Sequence, residues 1–102
     1  MTKRSKRNQT CHNASVKRSA DMLSSYGWKV KADIPEYPRP KSICVDNQCR
    51  RPDIIATKGR EKRIIEWETP DSYEKDRDQH TVFRKYARRS NNTHTSIKIC
   101  DI

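Results

Sequence analysis

The chain has 102 residues, enough for one domain and too few for two independent cores. Its 31% hydrophobic content is low, but the apolar residues fall in periodic stretches, which argues against disorder. Lysine and arginine outnumber acids 23 to 13, a net charge of +10 that suits a polyanion, and no stretch reaches the ~18 apolar residues of a membrane helix.

Residues 1–12 are expected to form a flexible basic arm carrying Lys3, Arg4, Lys6 and Arg7. They lack the apolar segment of a secretory signal, so the protein is expected to be cytoplasmic and DNA-associated, with its cysteines reduced. The folded domain is expected over 13–102. Asn13 can cap a helix whose apolar face is Val16, Ala20 and Leu23, extended by Tyr26 and ended by Gly27. Residues 28–34 alternate as a half-buried strand, and Pro35, Pro38 and Pro40 impose an irregular connection. A short edge strand fits 41–45. Two apolar runs, 51–57 and 63–69, flank Gly59-Arg60, which suits a type II′ hairpin turn. Pro70 and Asp71 are expected to open a second helix running to about Arg89, with Asp71 and Glu74 spaced like a capping box or with Thr69 as the cap and Pro70 at the first position. Phe83, Tyr86 and Ala87 form its apolar stripe, with Gln79 on the same face. Residues 95–100 alternate as a last strand with Ile97 and Ile99 inward. The predicted fold is α/β: an αβββαβ core with a mixed four- to five-stranded sheet flanked by helices.

A turn at Gly59-Arg60 sets Asp53 opposite Glu66, on one face of the sheet, and strand alternation adds Glu68 to that face. Three carboxylates then lie within about 7–8 Å of one another. Such a group suits a hard divalent cation, which activates water and stabilises the leaving oxygen in phosphodiester hydrolysis. Hairpin geometry equally allows a solvent-facing acidic patch alternating with Ile65 and Trp67. Asp21 fits an i−4 ion pair with Lys17, and His12, His80 and His94 fit surface positions.

Pro52-Asp53 followed by Glu66-Trp67-Glu68, within an αβββαβ pattern, resembles the PD-(D/E)XK nuclease superfamily, which includes restriction endonucleases and Holliday junction resolvases. The resemblance implies Mg²⁺ or Mn²⁺ held by Asp53, Glu66 and the backbone carbonyl of Trp67. It also implies catalytic roles for Asp53, Glu66, Glu68 and Gln79, the last resembling the Gln-x-x-x-Tyr element of RecB-like members with Phe83 at the tyrosine position. Glu68 stands where the superfamily usually has lysine, as a ligand or a general base. Lys62 is about 13 Å from Glu66 along the strand and does not replace it.

Cys11, Cys44, Cys49 and Cys100 include no C-x-x-C pair, and Cys44-x₄-Cys49 alone has a spacing for a metal pair or a disulfide. Candidate DNA contacts are Lys3, Arg4, Lys6, Arg7, Arg50, Arg51, Arg84, Lys85 and Arg88, with Arg89 in the same basic cluster. The function these features imply is a metal-dependent DNA endonuclease, working as a homodimer on DNA, with no membrane and no small-molecule substrate. Two alternatives remain: a non-catalytic DNA-binding protein on a degenerate nuclease fold, and a zinc-stapled interaction module.

Overall fold

Val16, Ala20 and Leu23 form the apolar stripe of α1 (Lys6–Ser25), as their spacing predicts. The computed structural model describes residues 6–70 and 72–100, with Arg7 described by its backbone alone. It starts α1 well before Asn13, so residues 6–12 are helical rather than an arm. The reason lies in polar residues. Asn8, His12, Ser15 and Ser19 continue the buried stripe toward the N-terminus, where an apolar periodicity does not reveal it. Lys3, Arg4 and the side chain of Arg7 lie outside the described residues.

Gly27, at φ 88°, ends α1 in a left-handed turn that few other residues adopt. The N–H of Trp28 donates to the Leu23 carbonyl at 3.0 Å and that of Gly27 to Ser24 at 3.1 Å, the two bonds of a Schellman motif. Tyr26, expected on the apolar face, is swung off it and is 68% exposed.

Strand β1 (Lys29–Ala32) pairs antiparallel with β4 (Ile54–Lys58), and β4 with β5 (Glu61–Glu68). Helix α2 (Arg77–Arg88) then crosses over to β6 (Thr93–Ile99), which lies parallel to β5. The sheet order is β1-β4-β5-β6, a mixed four-stranded sheet. Gly59, at φ 58°, supplies the turn that sets Lys58 opposite Glu61, the register expected from the sequence. The expected edge strand at 41–45 instead pairs as β2 (Ile43–Val45) with β3 (Gln48–Arg50), a separate hairpin. Its turn residues Asp46 and Asn47 both take positive φ, 51° and 66°, as a type I′ turn requires.

The sheet is covered on both faces. Val16, Ala20 and Leu23 pack with Val30, Ala32, Ile54, Ala56 and Ile65 on one side. On the other, Val82 and Phe83 of α2 meet Ile64, with Ile43 and Val45 of the hairpin against them. Alternation along β5 therefore sends Ile65 and Trp67 toward α1, and Ile64, Glu66 and Glu68 toward α2.

Two sequence expectations fail near the C-terminus. The second helix starts at Arg77, and residues 72–76 form turns instead. The Thr69 hydroxyl accepts from the Ser72 N–H as a helix cap would, but Ser72 Oγ accepts from the Thr69 N–H and donates to Glu68, and the chain passes through turns before it becomes regular helix. Asp71, half of the expected capping box, lies outside the described residues. Ile99 is 50% exposed rather than inward, because β6 is an edge strand.

The cysteines are paired, not reduced. Cys11 in α1 bonds Cys100 just after β6, and Cys44 bonds Cys49 across the β2–β3 hairpin. With no free cysteine, no thiolate remains for a zinc staple.

Candidate active site

The β4–β5 ladder ends at Ile54 and Ile65, so Asp53 and Glu66 face each other one step beyond it. Pro52, with no N–H to donate, suits the place where β4 has not yet begun. There the two acids complete the missing pairing with their side chains. The Asp53 N–H donates to Glu66 Oε1 at 2.6 Å, and the Trp67 N–H donates to Asp53 Oδ2 at 2.8 Å. The N–H and C=O of one strand residue point to the same edge, so the Trp67 carbonyl also points to the side where β4 has stopped.

Two further side chains hold this pair. Gln79, on the first turn of α2, donates from Nε2 to Glu66 Oε2 at 2.7 Å. His12, from α1, places Nε2 3.1 Å from Asp53 Oδ2. Both helices thus reach the same acid pair from opposite faces of the sheet. Glu66 is 2% exposed. Burial pushes its carboxyl well above the ordinary 4.5, and the neighbouring Asp53 charge pushes the same way. Among the described residues, no lysine or arginine forms an ion pair with either acid.

Glu68 follows a different course. It is fully buried and bonded to Ser72 Oγ at 2.5 Å, with His80 Nε2 3.1 Å from its other oxygen. Burial raises its carboxyl pKa, and the Ser72 and His80 hydrogen bonds oppose the rise. Tyr73 lies against the His80 ring at 5.1 Å between centroids. The three expected carboxylates therefore do not form one open group. Asp53 and Glu66 border a cavity of about 650 Å³, while Glu68 is sealed behind them and does not line it. His80, expected at the surface, is buried for the same reason: a buried carboxylate needs donors.

Comparison with known protein families, curated proteins and solved structures finds no match.

The cavity mixes both signs of charge. Arg39, Arg50, Arg51 and Lys75 line it beside the acids, so two expected DNA contacts, Arg50 and Arg51, do stand at the site. Arg51 Nε donates to the Pro40 carbonyl at 3.1 Å, and Arg50 Nη1 to Cys49 at 2.8 Å. Arg84 and Arg88 line a separate cleft with His94. Lys85 and Arg89 are turned to Asp46 in the β2–β3 turn, at 3.6 and 3.2 Å, fastening the hairpin to α2. Lys6 is exposed on α1. Asp21 pairs with Lys17 at 2.8 Å, as expected, and also accepts from Tyr37.

Sequence reasoning missed His12, Arg39 and Lys75. His12 was recoverable: Asn8, His12, Ser15 and Ser19 repeat at helical spacing in phase with Val16 and Ala20. Lys75 carried no such signal, since its position depends on the turns at 72–76. Among the described residues, no group of three or more His, Cys, Asp or Glu side chains is arranged to hold a metal ion.

Proposed function

We propose that the protein is a metal-dependent nuclease that hydrolyses phosphodiester bonds in DNA, and that its αβββαβ order with an inserted hairpin is a restriction-endonuclease-like core. The observation that carries this reading is the Asp53–Glu66 pair. Two carboxylates are held together at the floor of a cavity whose lining carries both signs of charge, one of them buried, with no lysine or arginine paired to either among the described residues. Like charges so placed favour a cation between them.

The donor set fits Mg²⁺ or Mn²⁺. Asp53 Oδ1 accepts no hydrogen bond among the described residues, and the Trp67 carbonyl points to the same edge. Asp53, Glu66 and that carbonyl supply hard oxygen ligands, leaving further positions for water and phosphate. Bound there, the ion would polarise the phosphoryl oxygen and lower the pKa of a bound water. The residues of the chain do the rest. His12 and the Trp67 N–H fix the Asp53 carboxylate, and Gln79 fixes that of Glu66. Arg39, Arg50, Arg51 and Lys75 offer charge to the phosphates on either side of the scissile bond. Glu68, enclosed by Ser72 and His80, acts as a positioning residue for the turn that leads into α2, not as a base. A homodimer would bring one acid pair to each strand of a duplex.

A second reading is favoured by one observation: the strand lysine nearest in sequence, Lys62, donates to the Tyr86 hydroxyl at 2.9 Å instead of serving the site. On that reading the protein binds DNA without cutting it. Labelled duplex, single-stranded and four-way-junction DNA, incubated with Mg²⁺, Mn²⁺ or EDTA, separates the two. Metal-dependent cleavage that disappears in Asp53→Asn is expected. Tight binding without cleavage under every condition would leave only the second reading, and no binding at all would refute both.

A further inference from the structure

Away from the acid pair, the part of the sheet toward β1 that α2 does not reach carries a cationic surface. Lys29 and Lys31 of β1 stand beside Ile55 and Thr57 of β4, their partners in register. Lys62 of β5 stands opposite Thr57 in turn, and Lys41 reaches the same groove from the loop before β2. The groove encloses about 260 Å³, with four lysines around a floor of Ile55 and Thr57. Among the described residues, none of the four forms an ion pair with an acid, and Lys62 has a neutral partner in the Tyr86 hydroxyl at 2.9 Å. Several cations elsewhere in the fold are tied to acids: Lys17 to Asp21, Arg39 to Asp33, and Lys85 and Arg89 to Asp46.

Lysines on an edge strand deter the pairing of one sheet with another, and Lys29 and Lys31 serve that end whatever else they do. That reason does not extend to Lys41, which is in a loop, or to Lys62, which is on an interior strand. Four like charges gathered without a counter-charge repel one another, and the arrangement gains by binding an anion that spans them. The groove is also joined to the cavity. Pro40 accepts from Arg51, which lines the cavity, and its two neighbours divide between the sites: Arg39 borders the cavity and Lys41 the groove. Along β5, Lys62 is about 13 Å from Glu66, the rise of about four nucleotides in one strand of a duplex.

We infer that the Lys29–Lys31–Lys41–Lys62 groove binds the phosphate backbone of the nucleic acid about four nucleotides from the bond held at Asp53 and Glu66. The inference rests on the nuclease reading, and it assigns the direction in which the substrate leaves the cavity. Lysine is suited to this task as a point charge that holds phosphate without reading sequence.

The test is the salt dependence of DNA binding by the full chain in EDTA, which separates binding from cleavage. Fluorescence anisotropy would be followed across a salt series for the wild type and for Lys29→Gln/Lys31→Gln/Lys41→Gln. A control triple, Arg18→Gln/Arg63→Gln/Lys98→Gln, removes the same charge from exposed positions toward α1. Each phosphate contact contributes about 0.7–0.9 to the slope of log affinity against log salt, so the groove triple is expected to lower it by about 2 to 3. The control is expected to leave the slope near the wild-type value. Lys41→Gln alone, at an exposed loop position outside the sheet, should lower it by about 0.7–0.9 and guards against misfolding of the triple. Equal losses in both triples would overturn the assignment, since net charge alone would then explain binding. A groove triple that binds like the wild type would also overturn it, while leaving the nuclease reading intact. Absence of wild-type binding at the lowest salt would overturn both.

Discussion

Asp53 and Glu66 are bonded through the backbone of one and the side chain of the other: the Asp53 N–H donates to Glu66 Oε1 at 2.6 Å. The Asp53 carboxylate returns the connection by accepting from the Trp67 N–H at 2.8 Å. Side chains therefore close the β4–β5 ladder at the point where the strand runs out. Each acid is fixed by the structure even though their charges repel.

If this pair holds the metal, Asp53→Asn and Glu66→Gln should each lower cleavage by about a thousandfold, as the loss of roughly 4 kcal/mol of transition-state stabilisation implies. Single-turnover cleavage of a labelled oligonucleotide, with far-ultraviolet circular dichroism to verify the fold, measures this. Retention of more than a tenth of the wild-type rate would show that the chemistry lies elsewhere.

Glu66 also makes stability depend on pH. Folding raises its carboxyl above the ordinary 4.5, chiefly through burial, so the native state holds a proton that the unfolded chain releases. Its contribution is fully present below that ordinary value and is lost as pH rises through the raised one. The Tm of Glu66→Gln should therefore gain on that of the wild type across this window and then run parallel to it. Adding Mg²⁺ above the window should raise the wild-type Tm and leave Glu66→Gln unmoved. A wild-type Tm indifferent to Mg²⁺ and Mn²⁺ would count against metal binding at this pair.

His12 touches Asp53 at 3.1 Å without being needed for the apolar core. His12→Ala is expected to reduce cleavage by about 10- to 100-fold, the usual cost of losing a group that orients a metal-binding side chain. The Mg²⁺ concentration giving half-maximal activity should rise as well. An unchanged metal dependence would reduce His12 to a packing role.

Buried Glu68 depends on its donors. His80→Ala removes one of them and should destabilise the fold by about 2–3 kcal/mol in urea denaturation. Glu68→Gln should soften that loss, so the double variant falls short of the sum of the two singles. Strict additivity would mean the two side chains are not coupled.

The two disulfides differ in the length of chain they close, 89 residues for Cys11–Cys100 and 5 for Cys44–Cys49. By loop-closure entropy the first contributes about 4–5 kcal/mol and the second about 2. Cys11→Ser/Cys100→Ser should accordingly lower the Tm more than Cys44→Ser/Cys49→Ser, by calorimetry. The opposite order would mean that the unfolded chain is already constrained near its ends.

The sequence by itself determined the elements whose signals are local. Gly27 stopped α1, Gly59 set the hairpin, and the β4–β5 register followed by counting outward from that turn, which placed Asp53 against Glu66. Gln79 was legible because helical phase placed it on the face shared with Phe83. Tertiary structure decided what depends on partners distant in the chain. Glu68 has the strand phase of Glu66, yet Ser72 and His80 claimed it, because a carboxylate sealed from water takes whatever donors the next turn offers. His12 joined Asp53, 41 residues away, and Cys11 joined Cys100, once polar residues had carried α1 back past Asn13. Periodicity reports which face of an element is buried. It does not report which polar groups meet there, since those contacts are set by the packing of one element on another.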